Sequence, residues 1–100
     1  MATLIPAAGE AREVAPANGR TFELHELQAL VGGYLEALRL RDGGWMFLNE
    51  DGKRLELPLN QVATVLMVGL IREDDWIVGD VVICSALEAG EGVDGDDAEA

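Results

Sequence analysis

The chain has 100 residues, nineteen Asp and Glu against seven Lys and Arg, and a formal net charge of -12. An apolar share of 49% is too high for a disordered protein, so one folded domain is expected, and the acidic balance lacks the basic footprint of a phosphate-backbone binder. The single cysteine, Cys84, excludes an intramolecular disulfide framework and a multi-cysteine zinc site. No apolar run approaches the roughly 20 residues of a membrane helix, and no basic-then-apolar leader opens the chain, which reads as a cytoplasmic protein.

Residues 2–6 and 13–16 read as two short extended segments around an Ala8-Gly9-Glu10 turn, with Pro6 and Pro16 closing them. Asn18-Gly19 marks another turn. Thr21 is the expected N-cap of a helix over 22–31, where Leu24, Leu27, Leu30 and Val31 share a face and Gly32 supplies the left-handed stop. After Gly33 the period falls to two. Tyr34, Glu36, Leu38 and Leu40 then line one face of a strand, and Leu35, Ala37, Arg39 and Arg41 the other.

Asp42-Gly43-Gly44 turns the chain into a partner strand over 45–49, and Glu50-Asp51-Gly52-Lys53 turns it again into a short third strand over 55–57, giving a meander. Asn60 caps a second helix over 61–70 that is apolar almost all round and needs cover on every side, from the sheet and first helix or from another subunit; its valines leave a strand open as the alternative. Residues 76–78 and 81–84, around Gly79-Asp80, read as a closing strand or hairpin. The expected fold is α+β: a small antiparallel sheet, made of the meander plus N-terminal and C-terminal strands, packed with two helices. One domain covers 1–85. Residues 86–100 hold six acids, no base and only Leu87 and Val93 as sizeable apolar side chains, and read as a disordered acidic tail.

The chemistry this sequence lacks is easier to name than the chemistry it has. His25 is the only histidine, inside a helix with no local nucleophile or oxyanion site, and Cys84 ends an apolar strand, which suits an inert thiol. The G-x-G-x-x-G at 90–95 lacks the strand before it and the helix after it that pyrophosphate binding requires. Asp74, Asp75 and Asp80 would gather a cation only if their loops converged; solvated acidic loops are the simpler reading, and no metal or other cofactor is expected.

Three stretches carry more polar function than packing requires. Glu36 sits on an otherwise apolar strand face and must find partners or protonate; Asn49 to Lys53 is a dense turn; Asn60 is free to cap a helix or to read a ligand. Tyr34, Glu36, Asn49, Glu50, Lys53 and Asn60 are therefore the candidate ligand-binding residues, with an aromatic, donor and acceptor mix suited to a small polar ligand. The plain alternatives are a buried ion pair, a turn and an N-cap.

The segments 27–36, 49–53 and 57–60, in that order, together with the closing 77–83, resemble the signature of the family called domain of unknown function 3846, over about residues 3 to 85. The departure from that pattern is mainly the acidic tail. The resemblance implies no catalytic assignment; it implies a small protein of bacteriophages, plasmids and other mobile elements, sometimes encoded beside antirestriction genes. The function expected is thus a non-catalytic anti-defence or accessory protein that sequesters a small nucleotide-type ligand or a host protein. A nucleotide would require Lys53, Arg54, Arg39 and Arg41 to gather at one mouth. The alternatives are an acidic mimic of DNA that blocks a DNA-binding enzyme and a structural homo-oligomer.

Overall fold

The computed structural model describes residues 2–90. Its centre is a five-stranded, wholly antiparallel sheet formed by β1 (Ala2–Ile5), β2 (Arg12–Val14), β3 (Leu35–Arg39), β4 (Trp45–Asn49) and β5 (Val81–Cys84), in the order β2-β1-β5-β4-β3. Three short helices accompany it: α1 (Leu24–Val31), α2 (Gln61–Leu66) and α3 (Ala86–Ala89). The α+β expectation holds, with the N-terminal and C-terminal strands inside one sheet.

β4 explains why both faces of the sheet are covered. All five of its residues are buried, and successive side chains point to opposite sides. Trp45 and Phe47 pack with Ala2, Leu4, Phe22, Leu27, Val31, Val82, Cys84 and Ala89 on the side of α1 and α3. Met46 and Leu48 pack with Ile5, Ala63, Met67, Ile77 and Val81 on the side of α2. The period-two reading of β3 is kept as far as Leu40, with Leu35 and Ala37 leaning on the first cluster and Leu38 and Leu40 on the second; Arg41, past the strand end, leaves the expected face and reaches the α2 side.

Five expectations need correction. The third strand of the meander is β5, which pairs with β4 from Trp45↔Cys84 to Phe47↔Val82. Residues 55–57 instead close turns: the Leu55, Glu56 and Leu57 N–H groups donate to Asp51, Lys53 and Gly52 carbonyls, and Glu56 adopts a φ of 57° that no strand allows. Residues 76–78 form no strand either, only a single bridge from Val78 to Leu59.

The first helix is capped by Glu23 rather than Thr21. The Asn18 Oδ1 already holds the Arg20 and Thr21 N–H groups at 2.8 and 2.9 Å, and Glu26 turns back to accept the Glu23 N–H at 2.8 Å. That contact keeps the Glu26 carboxyl below its usual range. The second helix ends at Leu66. Beyond it Gly69 takes a φ of 84°, and the Arg41 guanidinium, reaching across from the end of β3, collects the Leu66 and Val68 carbonyls.

The stretch assigned to a tail begins ordered. Ser85 and Glu88 form a reciprocal cap on α3, the Phe22 N–H donates to the Glu88 carbonyl at 2.8 Å, and Ala89 is buried in the α1-side core. The rest of that expectation, residues 91–100, lies outside the described residues.

Candidate functional site

Between β4 and β5 the chain makes a long excursion over the α2 side of the sheet, and this excursion builds the site. A cavity of about 120 Å³ opens there. Glu36 enters from β3 and Asn49 from the end of β4, while Glu50 and Lys53 come from the turn that follows. Leu38, Leu48, Ile71, Ile77 and Val78 form its apolar wall, and Asp75 and Trp76 complete the rim.

The register places Glu36 beside Leu48, and Leu35 beside Asn49, so the strand pair aims Glu36 toward the turn. The turn is fixed by its own backbone. The Glu50 N–H donates to the Tyr34 carbonyl at 2.8 Å, and the Gly52 N–H to the Asn49 carbonyl at 3.1 Å. Asn49 is buried; its Oδ1 accepts the Asp51 N–H at 2.8 Å and its Nδ2 donates to the Val31 carbonyl at 3.4 Å, at the end of α1. A Cβ on Gly33 would stand 2.8 Å from that Nδ2, so only glycine there lets the amide reach α1.

The charges are unbalanced. Lys53 pairs with Asp75, and its Nζ lies 4.4 Å from the centre of the Trp76 ring. The Lys53 hydrogen bond, helped by the Trp76 N–H at 2.8 Å, holds the Asp75 carboxyl below its usual range. Glu36 accepts no hydrogen bond from any described residue. The side chain stays exposed at the cavity rim; partial desolvation there first, then the charges of Asp75 and Glu50, push its carboxyl above the usual range, and Lys53 opposes them only in part. Three carboxylates thus face one ammonium.

Of the six candidate residues, Glu36, Asn49, Glu50 and Lys53 meet in this cavity. Tyr34 does not line it and is 70% exposed. Asn60 is buried elsewhere and fully engaged: its Nδ2 donates to the Ile5 and Gly79 carbonyls, both at 2.9 Å, and its Oδ1 accepts the Ala63 N–H at 3.0 Å. It is a helix cap and a clamp, with no donor left for a ligand. Sequence reasoning missed Asp75 and Trp76 as partners of Lys53. The signal was an aromatic directly after Asp74-Asp75, misread as the start of an apolar strand.

The acidic trio and the basic residues singled out in the sequence do not gather at one place. Asp74 pairs with Arg72 at 3.5 Å, Asp75 with Lys53, and Asp80 accepts the Ala7 N–H at 2.9 Å, so the three do not converge. Among the described residues no group of three His, Cys, Asp or Glu side chains is arranged to hold a metal ion. The basic residues are dispersed: Arg39 lies 4.7 Å over the Trp45 ring, Arg41 is on the α2 carbonyls, and Arg54 pairs with Asp51 at 3.3 Å. Among the described residues no helix is long and apolar enough to cross a membrane.

No curated protein and no solved structure matches this chain. A family model does, and its match runs past residue 85 through most of the acidic C-terminal stretch. Matched over residues 3–99, the chain belongs to the family described as Domain of unknown function (DUF3846).

Proposed function

We propose that this protein is a non-catalytic binder of the phage or mobile-element type, an anti-defence or accessory factor of the bacterial cytosol that works by sequestration. Of the two ligand classes open from the sequence, the cavity favours a host protein that presents a lysine or arginine side chain. The observation that carries this reading is the excess of carboxylate at the rim: Glu36, Glu50 and Asp75 around the one ammonium of Lys53.

Size points the same way. Small-molecule sites commonly span about 300–1,000 Å³, and a hole of about 150 Å³ holds one benzene. At about 120 Å³ this cavity has room for the end of one side chain and not for a nucleotide. Lys53 over Trp76 already occupies the arrangement that an incoming cation would use, so a partner's lysine would exchange with it. With Arg39, Arg41 and Arg54 each engaged away from this cavity, a phosphate entering it would meet only Lys53.

The non-catalytic reading is supported by the two residue types that most often carry nucleophilic or acid-base work. His25 is exposed on α1, and burial pushes the Cys84 thiol up to about 12.

Titration calorimetry with hexalysine, a cyclic dinucleotide and ADP-ribose tests the proposal. Heat is expected from hexalysine alone, weakened about 5-fold by Glu36→Gln and unchanged by Glu10→Gln in the distant β1–β2 turn. Heat from either nucleotide overturns it, as does silence with hexalysine. Equal losses in the two variants would instead favour the acidic-mimic reading, in which total charge and not this cavity draws the partner.

A further inference from the structure

From its exposed apolar face we infer that α2 and the turn after it form the two-fold interface of a homodimer. α2 turns only Ala63 into the sheet, joined by Met67 just past its end. Val62, Val65 and Leu66 lie on its outer side, and Val68 and Leu70 continue the surface; Val65 is 69% exposed. Residues 61–71 contain no charged side chain, although the chain is 26% charged. Thr64 is satisfied internally, donating to the Asn60 carbonyl and accepting the Ile77 N–H, both at 2.8 Å, so the face asks a partner for almost no hydrogen bonds.

The remainder of this chain is a poor cover. The described chain leaves from Gly90, packed on Thr21 and Phe22 on the opposite side of the sheet. Residues 91–100 carry five acids and one sizeable apolar residue, Val93. A charged partner would find only Arg41 here, and its guanidinium is already held by the Leu66 and Val68 carbonyls. A second copy fits, because an isologous contact needs a patch that complements itself, and an uncharged apolar helix laid antiparallel on its symmetry mate opposes no like charges.

The area is sufficient. With Leu59 beside the helix start, the six exposed side chains offer on the order of 500 Å² per chain, so the pair would bury about 1,000 Å², the lower bound for a specific interface. Because the two chains are both strongly acidic, salt that screens their repulsion should tighten the dimer, opposite to a contact made by charge pairing.

Sedimentation equilibrium of the full chain at about 100 µM should give twice the 10.7 kDa of one chain, and association should strengthen as salt is raised. Val65→Asp should weaken it about 100-fold by placing an unpaired charge in the contact, with Val68→Lys repeating the test at a second exposed position. Leu87→Asp, on α3 across the sheet and 83% exposed, should leave the dimer intact. A mass of one chain for the wild type overturns the inference, as does a dimer that survives both α2-face substitutions or dissociates with Leu87→Asp.

Discussion

On the α1 side of the sheet, Phe22, Leu27, Val31, Trp45 and Phe47 interlock under two helices, whose outer sides leave Leu24 and Leu87 exposed. On the α2 side the cover is a six-residue helix and a loop, which bury Ala63, Met67 and Ile77 but leave an apolar outer surface and an acidic cavity. Both halves rest on the same strands, and β4 supplies alternate residues to each. The difference teaches that the two faces are built unequally: one side is closed mainly by apolar area, and the other keeps polar groups that packing alone does not require, where the proposed binding would act.

The largest expected effect is on the closed side. Phe47→Ala removes a side chain that is 2% exposed and should cost about 3–5 kcal/mol, a large part of the stability of so small a domain, read as a lower urea midpoint. Asn60→Ala comes next. It deletes the α2 cap and strands the buried Ile5 and Gly79 carbonyls, for about 2–3 kcal/mol, and by the same measurement should loosen the α2 side first. If Asn60→Ala costs as much as Phe47→Ala, the two faces are not as unequal as their packing indicates.

Smaller effects belong to the cavity. Lys53→Met breaks the Asp75 pair and the Trp76 contact, both partly exposed, and should cost no more than about 1 kcal/mol. Glu36→Gln should be neutral or slightly stabilising at neutral pH, by less than about 1 kcal/mol after solvent screening. The sign follows from the raised carboxyl. The native state holds the Glu36 proton to higher pH than the unfolded chain, so its contribution is full below the ordinary value of 4.5 and is lost as pH rises through the raised one. Asp75 acts oppositely: its contribution is present above the ordinary value of 3.8 and lost as pH falls through its lowered one. Urea midpoints measured across acid and neutral pH should show Glu36→Gln gaining on the wild type as pH rises, while the gain from Asp75 and Glu26 runs through both chains alike.

The β3–β4 hairpin was legible because its signals are local: a period of two, a glycine turn, and Glu36 visibly out of place on an apolar face. The same local logic misled at residues 55–57, where Leu-Glu-Leu alternates like a strand but the carbonyls of Asp51 and Gly52 hold it in turns. It overran α2, since the length of that helix is limited by Gly69 and by Arg41 arriving from another element. Four cavity residues could be found from the sequence because three lie in one turn and its preceding strand end. Asp75 and Trp76 could not be joined to Lys53, because 22 positions separate the ion pair and only the excursion over the sheet closes it.

The two tryptophans allow the most direct test of binding confined to the α2 side. Trp76 edges the cavity and Trp45 is buried on the closed side, so each indole N–H reports one face. On adding hexalysine, a proton–nitrogen correlation spectrum should show the Trp76 indole moving, with the Glu36 and Lys53 amides, while the Trp45 indole stays in place. Movement of Trp45 alone, or of neither indole at saturating peptide, would contradict the assignment of cation recognition to the α2 side.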